Sequence, residues 1–155
     1  MPDRNVDDLC PVVRLRLEKL QAAAAHEQIG FEVIFTLRTE AEQLALFAQG
    51  RKTVDEVNRL RHDAVMPPIT EEQNKRPVTW ELTSMHMFGC AFDVVLIKAR
   101  EAVWTDCPEY GRLGELGESL GLTWGGRWKV KDLGHFQYTG GLNVAELREG
   151  KRPEA

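Results

Sequence analysis

The chain has no apolar run approaching the ~20 residues that a membrane helix needs. It has no excess of positive charge either: 20 Lys and Arg against 24 Asp and Glu leave a net charge of −4. Duplex-binding proteins carry a basic face, so neither a nucleic-acid partner nor stable membrane association is expected. Cysteine is scarce. Cys10, Cys90 and Cys107 are odd in number and no two stand at metal-ligand spacing. That excludes a disulfide framework and a Cys-rich zinc cluster, and fits free thiols in a reducing compartment. The start, Met1-Pro-Asp-Arg-Asn-Val-Asp-Asp8, lacks the basic and apolar regions of a signal peptide, so synthesis in a cytoplasm is expected. Internal repeats and low-complexity tracts are also missing. The 155 residues therefore read as one domain with a sizeable core.

Helix formers dominate from Val6 to Ile29, closed by Gly30, which predicts an N-terminal helix within residues 1–30. Phe31–Leu37 is aromatic and β-branched and predicts a strand. Thr39 then caps a helix over Glu40–Gln49, ended by Gly50. The stretch 51–77 reads as an insertion, a charged helix from Thr53 followed by a Pro-rich loop. Phe92–Ile97 is apolar except for Asp93 and predicts a central strand. A helix over Tyr110–Leu120, a turn over Trp124–Trp128 and a strand over His135–Tyr138 follow. Asn143 with Glu146 makes a capping box for a short helix in the tail 142–155. The order predicts an α+β fold with a small antiparallel sheet and flanking helices.

The chemistry concentrates in Ser84-Met-His86-Met-Phe-Gly89-Cys-Ala-Phe-Asp93 and Asp132-Leu-Gly-His135-Phe136. Two neutral imidazoles and one carboxylate form a ligand set used by catalytic zinc, which keeps a position open for water. His86 and Asp93 are seven apart, so on one flat strand they would face opposite ways. They share a metal only if the chain turns between them, which Gly89 permits. Asp132, in the turn before the last strand, is placed to take a proton from water near His135. Arg38, between the first strand and its helix, can steady charge developing on a carbonyl oxygen.

Ser-x-His-x-x-Gly-x-Ala-x-Asp followed by Asp-x-x-His-Phe resembles the D-alanyl-D-alanine carboxypeptidase (VanY-like) family of zinc peptidases. Within it, the chain is most similar to the L-alanyl-D-glutamate endopeptidase endolysins of phages. Arg38 with Gln43, Val78-Thr79, the helix Gly114–Leu122 and Trp124-Gly-Gly-x-Trp128 extend the likeness over about residues 31–141. Either half-motif alone is weak, and both in order are specific. The resemblance implies the hedgehog/D-Ala-D-Ala peptidase-like fold, with Zn²⁺ held by His86, Asp93 and His135 on the sheet. It implies Asp132 as general base, Arg38 as the carbonyl-polarising group and Ser84 as a hydrogen-bonding buttress.

The implied substrate is the peptidoglycan stem peptide, cut at L-Ala–D-Glu by a monomeric endolysin. That enzyme would wait in a bacterial host cytoplasm and act on the wall after release, without a separate wall-binding domain. There are departures from the family's pattern. Residues 51–76 exceed the usual connection, Trp80-Glu-Leu-Thr83 replaces a polar, Gly-containing approach, Cys90 replaces an aliphatic residue, and Gln137 stands where many relatives have Glu. Two alternatives stay open: a D-Ala-D-Ala carboxypeptidase or dipeptidase, and a non-catalytic zinc-binding domain such as those of hedgehog-like proteins. Blander assignments accompany the sharp ones. Asp132 can be a plain turn residue, Arg38 a surface charge, and Trp124 and Trp128 either core aromatics or a platform for peptide or glycan. His26 and His62 read as ordinary exposed or structural histidines.

Overall fold

The computed structural model describes residues 3–154. Five helices surround one sheet. Helix α1 (Pro11–His26) precedes β1 (Gly30–Phe35), α2 (Glu40–Ala48) and α3 (Val54–Asp63). Strands β2 (Ala91–Lys98) and β3 (Glu101–Val103) follow, then α4 (Pro108–Ser119), β4 (Thr123–Trp124), β5 (His135–Gln137) and α5 (Val144–Arg148). The sheet order is β1-β2-β5-β4, with β3 also on β2, and every pairing is antiparallel. Strand β2 is central as its apolar run requires, buried at Ala91, Phe92, Val94, Val95 and Leu96. Among the described residues no helix is long and apolar enough to cross a membrane.

The first helix is shorter than the expected 6–29. Cys10 is extended (φ −52°, ψ 139°) because Pro11 disfavours the helical region for the residue before it. Residues Val6–Asp8 instead make a separate 3₁₀ turn capped by the Asn5 side chain. Strand β1 stops at Phe35 after a bulge between Val33 and Phe35, and the Thr36 amide then donates to the Asp3 carbonyl at 2.8 Å. Strand β3 is absent from the sequence-based expectation. It pairs with β2 through a two-residue turn in which Ala99 and Arg100 both have positive φ (51° and 68°). Such turns normally announce themselves with Asn and Gly, and here neither is present.

The cap at Thr39 and the capping box at Asn143 form as expected, and Thr39 and Thr53 also make full capping boxes, each pairing the cap side chain with a glutamate three residues on. The stretch 51–77 is more ordered than a loop. The Asn58 side chain donates to Ile69 O (3.0 Å) and accepts from Ile69 N (2.8 Å). Asn74 accepts from Gly50 N and donates to Lys52 O. These bonds fold the segment back on α3 and on the connection between α2 and α3.

The glycines of α4 let the helix approach the sheet. A β-carbon at Gly114 would stand 2.2 Å from the Trp124 ring, and one at Gly117 would stand 2.4 Å from Phe136. The expected helix survives its glycines because close packing on β4 and β5 compensates for their low propensity. Phe136 in turn stacks on Phe92, ring centroids 5.6 Å apart, in a core that also takes Leu17 and Leu20 of α1 and Leu113 of α4.

Candidate active site

His86 lies in a 3₁₀ turn, Met85–Phe88, whose cap Ser84 accepts from the His86 amide at 3.3 Å. Gly89 ends the turn in the left-handed region (φ 70°), so the chain reverses before β2 begins. This reversal brings Asp93 back beside His86. A side chain at Gly89 would also press on the Asp8 carbonyl, 2.9 Å from the β-carbon position. Asp93 on β2 stands opposite His135 on β5 in the ladder, and opposite Phe35 just past the β1 bulge. Bulges recur beside active sites because they re-aim side chains.

His86, Asp93 and His135 offer ligand atoms that lie within 4.8 Å of one another. Asp93 Oδ2 is 3.2 Å from His86 Nε2, and Asp93 Oδ1 is 3.0 Å from His135 Nδ1. The opposite ring nitrogens are both engaged: His86 Nδ1 sits 2.8 Å from the Thr36 carbonyl and His135 Nε2 sits 2.8 Å from Gln137 Oε1. Each acceptor calls for a proton on the nitrogen it faces. In the neutral rings the lone pairs then point at Asp93 from both sides. His86 Nε2 is buried with no hydrogen-bond partner. Three electron-pair donors facing one another need a cation between them, and metal-bound histidines characteristically donate their other N–H to a carbonyl or carboxylate. The donor set therefore fits a metal such as zinc.

Burial alone would push the Asp93 carboxyl up, but its contacts with the His135 and His86 rings outweigh that and hold the group well below the usual carboxylate range. Burial pulls His135 down, and contact with Asp93 more than reverses that, leaving it raised.

Asp132 Oδ2 lies 3.9 Å from His135 Nδ1, with the side chain half-exposed. Burial and the nearby Asp93 charge raise its pKa above the ordinary 3.8. Arg38 is held from two directions: its Nη1 donates to Gln43 Oε1 at 2.9 Å, and its amide donates to the His86 carbonyl at 3.0 Å. Gln43 is fully buried and gives its Nε2 to the Glu81 carbonyl at 2.6 Å. Burial lowers the Arg38 pKa, while Asp93, Glu42 and Asp132 resist that shift. Arg38, Ser84, His86, Asp93, Asp132 and His135 all open into one cleft of about 870 Å³. Trp128 also lines it, its ring 4.9 Å from that of His135.

Of the two tryptophans, Trp124 is the core aromatic. It is buried in the core, and its Nε1 donates to Leu133 O at 2.8 Å, so it steadies the Asp132–His135 turn from behind. The cleft aromatic of that stretch is Trp128. Gln137 acts through His135 and is absent from the cleft lining. Cys90 points into the core and shares the Phe88 carbonyl with Cys10. Hydrogen bonding to Cys10 and burial push its thiol up, the wrong direction for a nucleophile. The backbone carbonyls of Thr36 and Glu81 leave no mark in the sequence, because a carbonyl contributes identically whatever residue bears it.

Residues 77–138 match the family described as D-alanyl-D-alanine carboxypeptidase. The chain is 28% identical over 140 residues to the peptidoglycan L-alanyl-D-glutamate endopeptidase CwlK of Bacillus subtilis (strain 168), covering 84% of this chain and 73% of that protein. The fold is similar to that of the Serratia marcescens L-Ala D-Glu endopeptidase ChiX, with a TM-score of 0.57 and 23% identity over 90% of this chain and 89% of that one. It is also similar in fold to a D,D-pentapeptidase VanY crystallised with Zn(II), with a TM-score of 0.54 and 17% identity over 91% of this chain and 76% of the other.

Proposed function

We propose that this chain, a metallopeptidase related to the D-alanyl-D-alanine carboxypeptidase (VanY-like) family, hydrolyses the stem peptide of peptidoglycan at the L-Ala–D-Glu bond. One observation carries the chemistry: His86 Nε2, Asp93 and His135 Nδ1 converge at the floor of a cleft that Asp132 and Arg38 also reach. The relationship to CwlK supports the choice of bond.

Zinc bound by His86, Asp93 and His135 would supply a Lewis acid and make water acidic near neutral pH. Asp132, beside His135 and open to the cleft, takes the proton from the attacking water and returns it to the leaving amine. Arg38, immobilised by Gln43, places its guanidinium where the carbonyl oxygen gains charge. Thr36 and Gln137 keep the two imidazoles in the ligating tautomers. Ser84 shapes the turn that presents His86. The Asp132 and Arg38 placements favour an enzyme over a zinc-binding domain without activity, which has no use for a base. We further infer a role in wall lysis, as for an endolysin made in a bacterial cytoplasm and acting as a monomer after release.

The test is digestion of purified peptidoglycan with mass and end-group analysis. New N-terminal D-glutamate is expected. Released D-alanine would instead establish the carboxypeptidase reading, and no cleavage by the zinc-loaded protein would remove both. His86→Ala should abolish zinc binding and cleavage together.

A further inference from the structure

Arg61 projects from α3, in the stretch that lengthens this chain between α2 and the His86 turn. With Val57 it forms the buried face of that helix. Its residue exposure is only 9%, yet among the described residues no carboxylate pairs with it. Among the described residues its side chain makes one hydrogen bond, from Nε to the Pro67 carbonyl at 2.6 Å. That bond orients the guanidinium and leaves both terminal amino groups without a protein acceptor. Arg61 and Pro67 line the same cleft as His86, Asp93 and Asp132.

A largely buried side chain whose free amino groups open only to a cleft gains from an anion that enters it. Arg38 in the same cleft has such anions already, in Asp93, Glu42 and Asp132. Arg61 has none: burial lowers its pKa and no acid opposes the shift. Lys131, also at the cleft, is exposed and solvated, so it gains less from meeting an anion. The cleft lining includes the apolar side chains Leu46, Met66, Val78 and Trp80, and a charge-assisted hydrogen bond is stronger where such side chains displace water. Planar guanidinium fits a carboxylate in bidentate fashion.

We propose that Arg61 is an anion subsite of the cleft, the anchor for a carboxylate of the stem peptide during cleavage. The assignment rests on the peptidoglycan reading above. Within two residues of the cut, on its leaving side, a stem offers two sources of that chemistry, the α-carboxylate of D-glutamate and the free carboxylate of a diaminopimelate residue that follows it. The helix α3 and its clamped loop therefore serve recognition, with Asn58 and Arg61 holding the loop residues Ile69 and Pro67.

The experiment compares three synthetic stem peptides with the zinc-loaded enzyme: all carboxylates free, the D-glutamate α-carboxylate amidated, and the diamino-acid carboxylate amidated. One amidation should raise KM about 10- to 100-fold for the wild type, as expected for a charge-assisted bond. In Arg61→Gln that ratio should collapse toward one, and Arg61→Lys should restore part of it. The sensitive peptide names the carboxylate. If Arg61→Gln slows all three peptides by the same factor, Arg61 only braces the Pro67 loop and the subsite is overturned. If the wild type shows no amidation penalty, it is overturned too. A wild type that cuts none of the peptides removes the peptidoglycan reading itself, and the anchor falls with it.

Discussion

Gln137 receives the Nε2 hydrogen of His135 at 2.8 Å, two residues along the same strand, and so turns the Nδ1 lone pair toward Asp93. A neutral amide does this job where a carboxylate would make the imidazole more basic. Gln137→Ala frees the ring to rotate or change tautomer. Zinc affinity should fall about 10- to 100-fold, read by competition with a chromogenic chelator. Gln137→Glu should hold the metal at least as tightly as the wild type. Equal affinity in the alanine variant would show that His135 is positioned by its packing alone.

Asp132 carries the prediction about pH. Burial and Asp93 raise its pKa above 3.8, so it protonates at a higher pH than an ordinary aspartate. A protonated carboxyl cannot accept the water's proton, so kcat/KM should fall on acidification as Asp132 protonates. Asp132→Asn should lower kcat about 10²- to 10⁴-fold with zinc still bound stoichiometrically. Near wild-type turnover in the Asp132→Asn variant would reassign the base.

Arg38 depends on Gln43, which in turn depends on the Glu81 carbonyl. Gln43→Leu keeps the volume and removes both bonds. The guanidinium then loses its aim, and kcat should drop about 10- to 100-fold with little change in KM. Steady-state kinetics on a soluble stem peptide, with metal content measured alongside, checks this. A pure KM effect would make Arg38 a ground-state binder.

Two glycines of α4 separate propensity from packing. Gly111 has open space around its missing β-carbon, so Gly111→Ala should stabilise by about 0.5–1 kcal/mol. At Gly117 the new methyl would meet the Phe136 ring. Overpacking should then outweigh the same propensity gain and destabilise by about 1–3 kcal/mol. Urea denaturation of the pair decides it, and a stabilised Gly117→Ala would mean that α4 can withdraw from the sheet freely.

Much of this molecule is local in origin. The caps at Thr39, Thr53 and Asn143 and the apolar run of β2 need only neighbours within a few residues, so they are legible without a fold. The turn at Gly89 is legible for the same reason. Where local signals mislead, a specific competitor is responsible. Pro11 splits the first helix, and Ala99-Arg100 adopt a turn conformation that their side chains do not advertise.

Sequence alone singled out the candidate ligands His86, Asp93 and His135 and the candidate groups Asp132 and Arg38, because metal and acid–base chemistry demand particular side chains. Tertiary structure decided which atom of each is used. The Thr36 carbonyl selects Nε2 on His86, Gln137 selects Nδ1 on His135, and the register of β2 against β5 sets Asp93 between them. It also moved Trp124 into the core and Arg61 into the cleft. Tautomer, register and burial are properties of contacts between distant segments, and no spacing along one chain encodes them.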